Sequence, residues 1–210
     1  MNLWQEGFRL LGSVWLTPRK SVRHALNHGA SWMGWVPFVW IFGVVFMMDQ
    51  FSFRSLSRWF DIPDLLAWAF LSGLAAGPLF WMIYGTLLYA VGRPFGGRGG
   101  WQEMLVAVAV SMIPWTGKWL LGLVELLIFG KEAWDDYTPH LNASFFLLSA
   151  YFLMVLIDAI LTVWILVVWS VVVSEVHRFP NWAGFLSVIG VLALVWIIFK
   201  YALNIVMIPL

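Results

Sequence analysis

Between Ser144 and Val176 the chain runs for 33 residues without a glycine or a proline, and Asp158 and Glu175 are its only charged side chains. No glycine or proline interrupts a helix here, and both one helix and two helices broken near Asp158 are open to it. One helix over it would be about 50 Å long at 1.5 Å per residue, against about 30 Å of bilayer hydrocarbon. A helix that is apolar all round has no solvated face, so protein or lipid must surround it. The rest of the chain cannot supply that cover as protein alone. It is 210 residues long, 62% hydrophobic and 11% charged, with a mean hydropathy of +0.85, whereas soluble domains carry about 25% charged residues. Its solvent is therefore partly lipid, and the fold class is all-α: a polytopic integral membrane protein. The 16 Trp and 17 Phe fit this class, because aromatic side chains favour the bilayer interface.

Four more apolar segments accompany the first. Five spans are expected, over about residues 33–50, 65–91, 104–129, 145–174 and 184–207. The first is short for a bilayer that wants about 20 residues, and Trp32 and Met33 extend it. The second carries Gly77-Pro78, and the third has Pro114 and Gly117 near its middle. Pro114 has no N–H for the carbonyl of Val110, and in lipid that carbonyl has to be satisfied internally. Close helix packing is open to Gly73, Ala75, Ala76, Gly77, Gly117 and Gly122.

Outside the spans the pattern is amphipathic. Residues 1–31 form a basic N-terminal segment ahead of a membrane domain at 32–210. Leu3, Trp4, Phe8, Leu11 and Trp15 recur at helical spacing opposite Gln5, Glu6, Arg9 and Ser13, which predicts a helix lying in the membrane surface. Thr17-Pro18 then starts a new helix, with Arg19, Lys20, Arg23 and His24 in its first two turns. Residues 51–60, FSFRSLSRWF, read as a second surface helix stopped at Asp61-Ile62-Pro63. Seven Lys and Arg fall on one side of five spans and three on the other. The positive side faces the cytoplasm, which places the N-terminus inside and the C-terminus outside the cell membrane.

Four ionisable residues fall inside spans: Lys118, Glu125, Asp158 and Lys200. Each costs about 2.5–3.5 kcal/mol at the bilayer centre on the insertion scale, so each is a functional candidate. Counted from the cytoplasmic ends, Lys118 lies about 21 Å and Lys200 about 24 Å in. Glu125 and Asp49 reach the outer boundary. An outer-leaflet cluster of Lys118, Lys200, Glu125 and Asp49 is the expectation, and lysines snorkelling to the headgroups are the plainer reading. Asp158 is too short to snorkel. Its plain role is an interhelical hydrogen bond, and its sharper one a proton or cation site.

A glycine-rich turn, Gly92–Pro114, joins the second span to the third. Gly96, Gly97 and Pro114 mark it as a hinge. Arg93 and Arg98, together with Arg19, Lys20 and Arg23, are candidate contacts for lipid phosphates, although a simple connector explains the turn as well. No Lys-Ser/Thr follows its last glycine, so it is not a nucleotide-phosphate loop. With no cysteine there is no disulfide, thiolate metal site or cysteine nucleophile. His24, His28, His140 and His177 are scattered, and no metal or cofactor is expected. Neither HExxH nor GxSxG occurs, so enzyme activity is not expected. A net charge of +1 without a dense basic run excludes a nucleic-acid binder.

Four stretches together resemble the Yip-domain family. They are TPRKSVRHAL before the first span, FGGRGGWQEMLVAVAVSMIP at the turn, VWILVVWSVVVSEVHRF in the fourth span, and PNWAGF entering the fifth. The family consists of five-span proteins named for eukaryotic members that interact with Ypt/Rab GTPases in membrane traffic. Eukaryotic members carry a longer cytosolic tail than the roughly 30 residues here, so the resemblance points to the prokaryotic branch. It implies an accessory or lipid-associated membrane protein. The expected function is a non-enzymatic scaffold or accessory subunit, with the lipid bilayer and either a membrane-protein partner or self-association. The alternative is a small transporter or lipid-handling protein using Asp158 and the outer-leaflet charges.

Overall fold

The computed structural model describes residues 11–27 and 34–206. Residues 2–10 of the expected surface helix lie outside these, as do His28, Trp32, Met33 and Met207. Among the described residues every regular element is helical. A short helical stretch at 11–16 leads to α1 (Pro18–Asn27), α2 (Val36–Phe53), a 3-10 turn (Leu56–Arg58) and α3 (Ile62–Gly92). Then come α4 (Trp101–Ser111), α5 (Trp115–Phe129), a second 3-10 turn (Gly130–Trp134), α6 (Pro139–Ala143), α7 (Phe145–His177) and α8 (Asn181–Val206). Among the described residues five stretches are long and apolar enough to cross a membrane, α4 and α5 counting as one.

The centre of the bundle is α4. Seven consecutive or near-consecutive residues from Met104 to Ser111 are buried, and α1, α2, α3 and α7 all pack on it. The basic segment α1 is thus part of the core, through Val22 and Ala25, and not only a surface anchor. Next to α4, α2 and α3 meet backbone to backbone. A methyl on Gly43 would lie 2.4 Å from the Gly73 carbonyl oxygen, and one on Gly77 would lie 2.3 Å from that of Val39. Small residues allow this approach, and dispersion rewards it in lipid. Of the other small residues, Ala75 faces outward, while Gly117 receives the ring of Trp15 and Gly122 the Met48 side chain.

The break at Pro114 is satisfied from within. Val110 gives its carbonyl to the Ile113 N–H at 3.2 Å, and Trp115 N–H turns to Met112 at 3.1 Å. That shift frees the Ser111 carbonyl, which accepts the indole N–H of Trp169 on α7 at 3.0 Å.

Residues 145–177 form one uninterrupted helix, with Asp158 inside it. Its C-terminus is set by Arg178 in the left-handed region at φ 58°, and the Phe179 N–H closes onto Ser174 at 3.2 Å. Residues 51–60 differ from the surface helix expected there. The span helix continues to Phe53, Ser55 takes φ 49° and ends it, and a single 3-10 turn remains. Ser57 Oγ donates to the Trp134 carbonyl at 2.9 Å. Arg58 pairs with Asp135 at 2.7 Å and also with Asp136, so the turn is clipped to the loop after α5.

Candidate functional site

Three helix faces converge on a polar cavity of about 180 Å³. From α2 come Val45, Asp49 and Ser52, from α5 Lys118, Gly122 and Glu125, and from α7 Tyr151, Val155 and Asp158. Each set steps by three or four residues, so each lies on one face of its helix. Ala133 and Trp134 line the end toward the loop. The Lys118 ammonium is 3.1 Å from Asp158 Oδ1, donates to Thr162 Oγ1 at 3.2 Å, and sits 5.5 Å from the Trp115 ring centroid. Its side chain is only 11% exposed, against 40% for Asp158. Asp49 and Glu125 have no ion pair or hydrogen bond among the described residues. The cavity therefore sets three carboxyl groups against one ammonium. It is roomy enough for several waters, each taking about 30 Å³. Among the described residues no three His, Cys, Asp or Glu converge as a metal site.

This grouping differs from the expected one in two members. Asp158 joins Asp49, Lys118 and Glu125, because residues 151, 155 and 158 face α5. Lys200 stands apart on α8, with its ammonium 5.0 Å from the Trp196 ring centroid and beside a separate apolar groove. Helix rise gives the height of a residue but not its azimuth. Lys200 faces a different side of the bundle from Lys118.

The basic residues also divide. Arg23 binds Glu175 at 2.6 Å, and Arg19 reaches Glu175 at 3.3 Å and Asn181 at 2.6 Å, so both clip α1 to α7 and Arg19 also clips it to α8. Arg93 donates to the Tyr89 hydroxyl at 2.6 Å. Lys20 and Arg98 are exposed, with no ion pair among the described residues. Glu175 is a partner that no local pattern reveals, since it lies about 150 residues from the arginines it binds.

The glycine turn is packed and not merely flexible. Gly96 sits at φ +81°, which favours glycine, but Gly92, Gly97 and Gly99 are required by space. A methyl on Gly92 would lie 2.1 Å from His177 Nε2, and one on Gly97 would lie 2.4 Å from Nδ1. The turn wraps the fully buried His177 ring, which stacks on Phe179 at 5.1 Å. The Arg98 N–H donates to the His177 carbonyl at 3.1 Å, and His177 Nε2 lies 3.2 Å from the Leu88 carbonyl. More glycines than one turn needs was the available signal for a buried neighbour. What that neighbour is was not legible.

Among the described residues, five apolar stretches long enough to cross a membrane, with the buried α4 forming part of the third, define a multi-pass α-helical membrane protein. The Yip1 domain model matches residues 12–202, and the chain belongs to that family. Neither the curated proteins nor the solved structures include a match to it.

Proposed function

We propose that this protein is a non-enzymatic scaffold or accessory subunit of a membrane assembly, of the prokaryotic branch of the family. It would sit in the cell membrane with its N-terminus cytoplasmic and its C-terminus outside. The exposed face of the first half of α7, opposite the side that meets α5, supports this reading. Every buried residue of α7 lies at Ile165 or beyond, so residues 145–164 contain none. That half is about 30 Å long, enough to cross the hydrocarbon. Phe145, Phe152, Leu156, Ile160 and Val163 form an exposed stripe along it. An apolar groove of about 600 Å³ between Trp15, Leu16 and Ala159–Trp164 continues the same surface. Asp158, part-exposed beside this stripe, keeps an open side after its pair with Lys118, and a partner's membrane helix would cover it.

Native mass spectrometry of protein gently extracted from its own membrane tests this. A membrane protein bound at fixed stoichiometry, and released by Asp158→Asn, is the expected result. A lone protein would count against the scaffold. The polar cavity favours a second reading, a small transporter or lipid-handling protein that uses Asp158, Lys118, Asp49 and Glu125. On that reading Asp158→Asn abolishes transport, while assembly and expression are unchanged.

A further inference from the structure

A second cavity lies between α2, α3 and α8. It is one residue round α2 from the polar one, lined by Phe46, Gln50 and Phe53 in place of Val45, Asp49 and Ser52. Its volume is about 650 Å³, inside the range of about 300–1,000 Å³ for small-molecule sites. The rings of Phe46 and Phe80, 4.2 Å apart, form its floor. Tyr84, Leu192 and Val195 make the walls, and Lys200 is the one charged group among the described residues that line it.

Height along the helices gives the groove its orientation. At 1.5 Å per residue, Leu192 lies about 17 Å and Lys200 about 29 Å from the start of α8, while Phe46 and Phe53 lie about 15 Å and 26 Å from the start of α2. The apolar walls therefore run from the bilayer middle to one headgroup level, the length of one leaflet's acyl chain. Lys200 sits at the headgroup end. Its ammonium rests near Trp196 and has no carboxylate partner among the described residues. A lysine in this position acts as a point charge for phosphate. Among the described residues no acidic side chain lines the groove, so none of them complements the ammonium of a zwitterionic headgroup.

We propose that this groove binds one anionic phospholipid, with an acyl chain between α2, α3 and α8 and its phosphate on Lys200. The site is independent of α7 and of the scaffold reading. The full chain, purified in mild detergent, is titrated with phosphatidylglycerol or phosphatidylcholine and followed by native mass spectrometry. One phosphatidylglycerol per chain is expected, held about tenfold more tightly than phosphatidylcholine. Lys200→Gln should lower its affinity about tenfold, and Lys200→Arg should keep it. Leu192→Trp, which fills the groove and leaves the lysine in place, should remove it. Equal binding of the two lipids, or an unchanged affinity in Lys200→Gln, overturns the headgroup assignment. Retention in Leu192→Trp overturns the groove. Displacement by inorganic phosphate at equal concentration identifies a free-anion site and also overturns the proposal, as does a lipid-free dimer formed through this face.

Discussion

Alanine at Gly77 introduces one carbon atom, and its cost follows from the α2–α3 contact. The added methyl lies 2.3 Å from the Val39 carbonyl oxygen, whereas ordinary contact begins near 3.4 Å. The two backbones must part by roughly an ångström, because neither obstacle is the end of a flexible side chain. Gly43 and Gly73 sit in the same contact, so the separation loosens them as well. Overpacking of this kind costs about 1–3 kcal/mol. Gly190 on α8 is the control, because nothing lies within 4 Å of a methyl there. Alanine at 190 should stabilise by up to about 1 kcal/mol through helix propensity alone. Reversible unfolding in mixed micles of increasing SDS fraction, read by tryptophan fluorescence, compares the two. Gly77→Ala should unfold at lower SDS than the wild type and Gly190→Ala at equal or higher SDS. Equal midpoints for the two variants would refute a backbone-to-backbone contact.

Other perturbations test separate parts of the fold. Trp169→Phe keeps an aromatic ring but strands the Ser111 carbonyl at the Pro114 break. It should cost about 1–3 kcal/mol in the same unfolding assay. Gly97→Ala drives a methyl into the His177 ring and should accelerate hydrogen exchange at the Arg98 amide, which the docked turn protects. Glu175→Gln removes the anion shared by Arg19 and Arg23. It should expose α1 to proteolysis, and the gap from the wild type should narrow in high salt. Asp135 is held below the ordinary aspartate range, first by the Tyr137 N–H and then by Arg58. The clip between the Leu56–Arg58 turn and this loop should therefore be complete above about pH 4. It should weaken as the pH falls through the lower folded value. Hydrogen exchange at the Tyr137 amide against pH follows this directly, and Arg58→Ala should shift the loss to higher pH.

Sequence alone revealed most where the physics is local. The absence of glycine and proline from 144 to 176 allowed one helix and left a break near Asp158 equally open, and α7 is unbroken. Pro114 located the interruption of the third span, because a missing N–H acts on its own turn. Its repair did not show, since the donor is Trp169 on another helix. The same divide runs through the site. Lys118 and Glu125 share a face by their spacing of seven, but Asp158 joined them and Lys200 did not, because helix packing sets azimuth. Arg19 and Arg23 read as candidate lipid contacts, and their pairing with Glu175, far away in sequence, was not legible. Residues 51–60 carried a helical pattern, and the left-handed Ser55 ended the helix inside it.

The exposed face of the first half of α7 carries the functional proposal, and site-specific photocrosslinking in the native membrane tests it most directly. A photoreactive residue at Leu156 on α7 is compared with one at Ile197, an exposed position on α8. The scaffold account predicts a single protein adduct of constant mass at Leu156, none at Ile197, and a weaker Leu156 adduct when Asp158 is also changed to Asn. Adducts to lipid alone at both positions would contradict it.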